Sequence, residues 1–228
     1  LHVKYGKFEA VKGVSFHLNK GEIVGIVGQS GSGKSTIAKT LVGIEKKSSG
    51  KIEVSAKSMQ MVFQDAVGSL NPRMKIEDTL KEAIKYARGG SGKTGILTSK
   101  VDNLLELVGL SRAVLGQYPR EMSGGQCQRV SIARALACNP EVLIADEPVS
   151  ALDVSVQARV LNLLRDLRSK VGLSIILIAH DLAVVRNVCD RVAVMESGRF
   201  VEEGPADRVF SAPKSDYTAR LLTAVPRI

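Results

Sequence analysis

Five apolar residues in a row, Ile23-Val24-Gly25-Ile26-Val27, run directly into Gly28-Gln29-Ser30-Gly31-Ser32-Gly33-Lys34-Ser35, and no other stretch narrows the choice of fold as far. A β-branched run without polar alternation reads as a strand buried on both faces. Glycines after it let successive backbone N–H groups turn inward around an anion, and a helix expected over Lys34 to about Val42 points its partial positive end at the same place. Strand, glycine loop and helix in that order begin an α/β domain built on a parallel sheet.

The rest of the chain extends that pattern. Val142-Leu143-Ile144-Ala145 and Ser174-Ile175-Ile176-Leu177-Ile178-Ala179 are two more buried strands. Between them, Val156, Val160, Leu163, Leu164 and Leu167 recur at helical spacing from Val154 to about Ser169. Arg191 to Met195, a Ser197-Gly198 turn and Arg199 to Glu202 form an antiparallel hairpin. The middle differs: from about Val67 to Ala137 there are turn signals at Asn71-Pro72 and Gly89-Gly90, then helices over Lys100 to Val108 and Gly125 to Ala137. The expected organisation is one domain over 1–228, with an α/β core in 1–66 and 138–210, an inserted helical lobe in 67–137 and a C-terminal tail in 211–228.

Composition sets outer limits. With 228 residues and 44% hydrophobic content the chain can bury a substantial core, yet no apolar run approaches the roughly 20 residues that span a bilayer. The opening residues lack a basic stretch followed by an apolar block, so no secretory signal is expected. Cys127, Cys138 and Cys189 are widely spaced without Cys/His grouping, which argues against zinc or a disulfide framework and for a reducing setting. The net charge of +9 is spread over scattered basic residues, so no specific nucleic-acid partner is expected.

Gly28 to Ser35 matches the P-loop pattern in the strand-to-helix context its mechanism requires. Lys34 is expected to reach the β- and γ-phosphates of a nucleotide and the Ser35 hydroxyl to ligate magnesium. Gly92-Lys93-Thr94 spells the same letters, but Ala87 stands where the first loop glycine belongs and no buried strand precedes it, so it is expected to be a surface loop. Asp146-Glu147 ends the Val142–Ala145 strand, at the sheet edge where α/β domains bind ligands. A hard cation suits Asp146, and Glu147 is next in line to polarise an attacking water. Alone, four apolar residues and two acids more often mark a solvated turn; the P-loop changes that balance. Met122-Ser123-Gly124-Gly125-Gln126 is a second anion cradle, with Ser123 able to cap a helix beginning near Gly125.

That last segment, followed by Arg129-Val130-Ser131-Ile132-Ala133-Arg134-Ala135-Leu136, closely resembles the signature of the ABC ATPase family, whose usual form has Leu at the place of Met122. The resemblance covers nearly the whole chain in the family's motif order. It implies a P-loop NTPase (RecA-like) α/β core with an inserted α-helical lobe and an antiparallel β portion, of the ABC ATPase type, using ATP and Mg2+. Carried over residue by residue, it makes Gly28, Gln29, Ser30, Gly31, Ser32, Gly33, Lys34, Ser35 and Thr36 the phosphate cradle. Tyr5 becomes the adenine-stacking residue, with Phe8 as the alternative. Ser35, Gln64 and Asp146 hold magnesium, while Glu147, His180, Lys34 and Gln64 are catalytic. Ser123, Gly124, Gly125, Gln126 and Asp153, the last in Ser150-Ala151-Leu152-Asp153, serve the site of a partner subunit in trans.

Ser69-Leu70-Asn71-Pro72-Arg73-Met74 and the segments Val209 to Pro213 and Tyr217 to Leu222 are similar to those of importers of peptides, nickel and related solutes. The resemblance thus implies a second ATPase subunit, identical or homologous, transmembrane permease subunits, a solute-binding protein acting indirectly, and a place on the cytoplasmic face of the cell membrane. Two departures stand out: Gly50 to Gln64 is shorter than is usual, and the sequence stops before the cysteine-containing tail of many relatives, so no iron–sulfur cluster is implied. An ABC-type ATPase acting on DNA or on the ribosome is the alternative, although this sequence has no sustained heptads and one set of motifs.

Overall fold

The computed structural model describes residues 1–87 and 94–223. Gly89, Gly90, Gly92 and Lys93, read above as turn and surface loop, lie outside the described residues, whereas Thr94, read as part of that loop, begins a helix instead. The chain opens with β1 (His2–Tyr5) and β2 (Phe8–Lys12), an antiparallel pair of its own. There follow β3 (Ile23–Val27), α1 (Lys34–Leu41) and β4 (Met59–Val62). A helical stretch then inserts α2 (Ile76–Ala87), α3 (Thr94–Leu107), two 3-10 turns and α4 (Gly124–Leu136). The chain returns through β5 (Val142–Asp146), α5 (Val154–Val171), β6 (Ser174–Ala179), α6 (Leu182–Arg186), β7 (Arg191–Glu196), β8 (Arg199–Pro205), α7 (Ala206–Ser211) and α8 (Asp216–Thr223).

The main sheet has the order β4-β5-β6-β3-β7-β8, with only the β7–β8 pairing antiparallel. Every residue of β3, β5 and β6 is buried because both faces of the sheet are covered. Ile175, Leu177 and Ala179 of β6 belong to the core on the helix-rich side, with Leu164 and Leu167 of α5 and Val130 of α4. Ile176 and Ile178 belong to the opposite core, with Ile37 of α1 and with Val3 and Val11 of the β1–β2 pair. This alternation explains why these strands read as unbroken apolar runs.

Parallel pairing also sets the functional edge. Val27 of β3 stands opposite Ala179 of β6, and Asp146 of β5 opposite Ile178, so three adjacent strands end nearly level. The residues that follow them, Gly28, Glu147 and His180, are thereby delivered to one crevice at the C-terminal ends of the strands.

Two sequence expectations needed adjustment in the inserted region. The helix read from Lys100 begins at Thr94. Helix α2 was not anticipated, although Ile76, Leu80 and Ile84 are buried at four-residue spacing and Glu77 and Asp78 occupy its first turn. Helices α7 and α8, in the C-terminal part, were not anticipated either.

Candidate nucleotide site

One cavity of about 570 Å3 is lined by Gln29, Ser30, Gly31, Gly33, Lys34, Ser35 and Thr36 of the loop and α1, by Gln64, Glu147 and His180, and by Tyr5, Phe8 and Ala10 of the small sheet. The volume falls within the range of small-molecule pockets. Tyr5 and Phe8 are both exposed, with relative accessibilities of 44% and 65%, on the rim that the β1–β2 turn supplies.

Local backbone geometry explains the loop. Gly33 caps α1 at φ 108°, a region that side chains rarely enter, and a Cβ built there would stand 2.5 Å from the Ala10 carbonyl oxygen. Lys34 is buried, and its Nζ donates to the Gly28 and Gln29 carbonyls at 2.8 and 2.9 Å. Its ammonium thus folds back over the loop it belongs to. Ser32 Oγ is buried with no hydrogen-bond partner among the described residues.

Across the crevice, the Ser35 hydroxyl donates to Asp146 Oδ1 at 2.9 Å, so the residue after Lys34 and the last residue of β5 already meet. Glu147 holds a left-handed backbone, φ 46°, with its amide donating to the Ile178 carbonyl at 3.0 Å. For a non-glycine residue such a conformation costs roughly 1–3 kcal/mol. It aims the carboxylate so that Oε2 accepts from Gln64 Nε2 at 2.8 Å and lies 3.5 Å from His180 Nδ1. Gln64, Glu147 and His180 therefore form one cluster drawn from the ends of β4, β5 and β6.

Ser123 caps α4: its Oγ accepts the Gln126 amide at 3.3 Å, and the Gln126 side-chain oxygen accepts the Ser123 amide at 2.9 Å. Ser123 and Gly124 are exposed, and none of Ser123 to Gln126 lines the cavity. Asp153 precedes α5, also exposed, in a loop braced by Gln157, whose amide donates to the Val149 and Leu152 carbonyls. Sequence separation had hidden a further link. Arg134 of α4 donates to the Ser69 carbonyl at 2.6 Å and Ser131 to that of Ala66 at 3.4 Å, fastening the segment after Gln64 to the helix that Ser123 starts.

Residues 11–150 match the family described as ABC transporter. The oligopeptide transport ATP-binding protein OppF of Lactococcus lactis is 47% identical over 96% of this chain and 73% of its own length. OppF of Haemophilus influenzae is 45% identical over 96% of this chain and 70% of its own. The chain belongs to the ABC transporter family. Among solved structures it resembles cbiO1 of Clostridium perfringens, part of an ABC transporter complex, with TM-score 0.84 and 30% identity over 93% of this chain and 88% of that one. The dimeric ATP-binding cassette MJ0796, seen after hydrolysis with ADP and Pi, matches at TM-score 0.80 and 27% identity over 90% of this chain and 95% of that one.

Burial pushes the Lys34 ammonium below its ordinary pKa, while Glu147 and Asp146 pull it back up. Burial likewise raises the Asp146 carboxyl, with the Ser35 hydroxyl opposing. One contact at the site went unread in the sequence: Tyr217 of α8 accepts the Gln29 amide on its phenolic oxygen at 3.1 Å. A lone tyrosine in a C-terminal segment has no spacing signal that ties it to a loop so far away in the chain.

Proposed function

We propose that the chain is the ATP-hydrolysing motor subunit of an ABC importer, most consistent with peptide uptake, and that it works as a pair of cassettes beneath a separate permease. The observation that carries the reading is the single crevice in which the P-loop, Gln64, Glu147 and His180 converge while the capped N-terminus of α4 lies outside it. The peptide assignment rests on the OppF relatives named above.

In this reading Gly28 to Thr36 hold the phosphates, with Lys34 exchanging its two carbonyl partners for β- and γ-phosphate oxygens. Tyr5, or Phe8 beside it, offers a face to adenine. The site fits magnesium by an observation of its own: Ser35 Oγ and Asp146 Oδ1 are hydrogen-bonded oxygens of the kind a hard cation takes, and Gln64 lines the same cavity as Ser35. Bound there, the ion supplies charge neutralisation on the phosphates. Glu147 takes the proton of the attacking water, Gln64 orients that carboxylate, and His180 faces the γ-phosphate. Ser123, Gly124, Gly125, Gln126 and Asp153 complete the site of a second cassette, so each crevice needs a partner copy. The segment from Gln64 to Met74, tied to α4 through Arg134, carries the resulting movement to the permease at the cytoplasmic face of the membrane. Among the described residues no helix is long and apolar enough to cross a membrane, in keeping with a separate permease.

The test is stoichiometric. With Ser123 supplied in trans, specific ATPase activity of the purified chain should rise with protein concentration, in step with a dimer seen by light scattering in ATP. Full specific activity from a species that stays monomeric at saturating ATP would contradict the reading.

A further inference from the structure

Helix α8 reaches the phosphate loop although more than 180 residues of chain separate them. The Tyr217 hydroxyl oxygen accepts the Gln29 amide at 3.1 Å. The same peptide unit is held on its other side, where the Gly28 carbonyl accepts Lys34 Nζ at 2.8 Å. A peptide group is planar, so pinning both its N–H and its C=O removes its freedom to rotate about the chain. The direction in which Lys34 points is therefore tied to Tyr217.

Tyr217 is itself held firmly. The residue is 7% exposed and belongs to the main core together with Val209 of α7. The turn that starts α8 is clamped by Glu202 of β8, whose two carboxylate oxygens accept the Lys214 and Ser215 amides at 2.9 and 3.1 Å. Burial works against ionisation of Glu202, yet those amide hydrogen bonds hold its carboxyl below the ordinary range. A chain of fixed contacts thus runs from β8 through α8 to the loop.

We infer that Tyr217 is a positioning residue of the nucleotide site, whose hydroxyl fixes the Gly28–Gln29 peptide and couples the docking of α8 to occupation of the P-loop. The inference rests on the nucleotide reading of that loop. Its thermodynamic form is a population cost: if the loop is unpinned, only a fraction of molecules presents it correctly, and apparent affinity falls by that fraction. Once phosphates are bound they hold the loop themselves, and Tyr217 is not among the residues that line the cavity, so turnover at saturating ATP stays unchanged. Linkage makes the effect reciprocal, so nucleotide also steadies α8.

The experiment uses the full chain and Tyr217→Phe, which removes one oxygen and keeps the ring. Titration with a fluorescent ATP analogue and steady-state ATPase assays should show Kd and KM raised about 2- to 12-fold, the worth of one neutral hydrogen bond, with kcat and Tm close to wild type. Amide hydrogen exchange in α8 should slow on adding ATP to the wild type and stay unchanged in the variant. Glu202→Gln, which loosens the clamp but keeps the hydroxyl, should weaken ATP in the same way, and the double variant should add nothing to the weaker single one. A wild type that binds no nucleotide overturns the nucleotide reading and this inference with it. Wild-type binding matched by an equal Kd in Tyr217→Phe, or a fall in kcat at unchanged Kd, overturns the inference alone.

Discussion

Replacing Gly33 by Ala tests how the phosphate loop is built. Two separable costs arise. The backbone at φ 108° is strained for any residue with a Cβ, which costs roughly 1–3 kcal/mol. The new methyl would also sit 2.5 Å from the Ala10 carbonyl oxygen and 2.8 Å from Met195 Cε, and the first of these is backbone in a paired strand that cannot turn aside. Overpacking of that kind adds roughly 1–3 kcal/mol. Gly31→Ala is the control: its φ of 80° brings the first cost, but nothing lies within 4 Å of the new methyl. Thermal unfolding should therefore fall by about 4–24 °C for Gly33→Ala, at 2–4 °C per kcal/mol for a chain of this size, and by only about half as much for Gly31→Ala. Equal Tm values for the two variants would mean that the Ala10 carbonyl imposes no steric cost on a methyl at position 33.

Ser123→Arg should abolish hydrolysis while leaving nucleotide affinity of the isolated chain within about twofold, because bulk at the exposed cap of α4 obstructs a partner's site and not its own; parallel loss of both in binding and turnover assays would count against it. Acid should loosen α8. The folded pKa of Glu202 is lowered, so its contribution is complete above the unfolded value of 4.5 and is lost as pH falls through the folded value. Exchange protection of α8 should drop in that window in the wild type, and Glu202→Gln should lack that pH dependence.

Much of the site was legible because it lies on local signals. The unbroken apolar run of β3, the glycines after it and the Asp146-Glu147 pair each advertise a strand end, and parallel register then gathers them without further information. Ser123 was legible as a cap for the same reason, since capping is decided within four residues. What escaped was non-local or masked by punctuation. Helix α2 stands between the Asn71-Pro72 and Gly89-Gly90 turn signals, and its Ile76, Leu80 and Ile84 stripe is short beside that punctuation. The Tyr217–Gln29, Arg134–Ser69 and Arg168–Asp190 contacts join distant positions, and no periodicity encodes a pairing of that kind. The left-handed backbone of Glu147 was equally invisible, because a glutamate carries no mark of the φ that its neighbours impose.

Glu147 is the proposed base, and its replacement separates chemistry from binding. Glu147→Gln keeps the size of the side chain, and its amide oxygen can still accept from Gln64 Nε2, now 2.8 Å from the carboxylate, but the basic oxygen is gone. Loss of a general base slows chemistry by roughly 100- to 10,000-fold, about 2.7–5.4 kcal/mol in the barrier. The measurement is phosphate release at saturating Mg-ATP, run beside a titration of ATP affinity and light scattering on the same sample. Turnover should fall at least about 100-fold below wild type, with affinity retained and an ATP-bound dimer that persists because closure is no longer followed by release. Phosphate release at the wild-type rate would contradict that role of Glu147 and pass it to another group, His180 first.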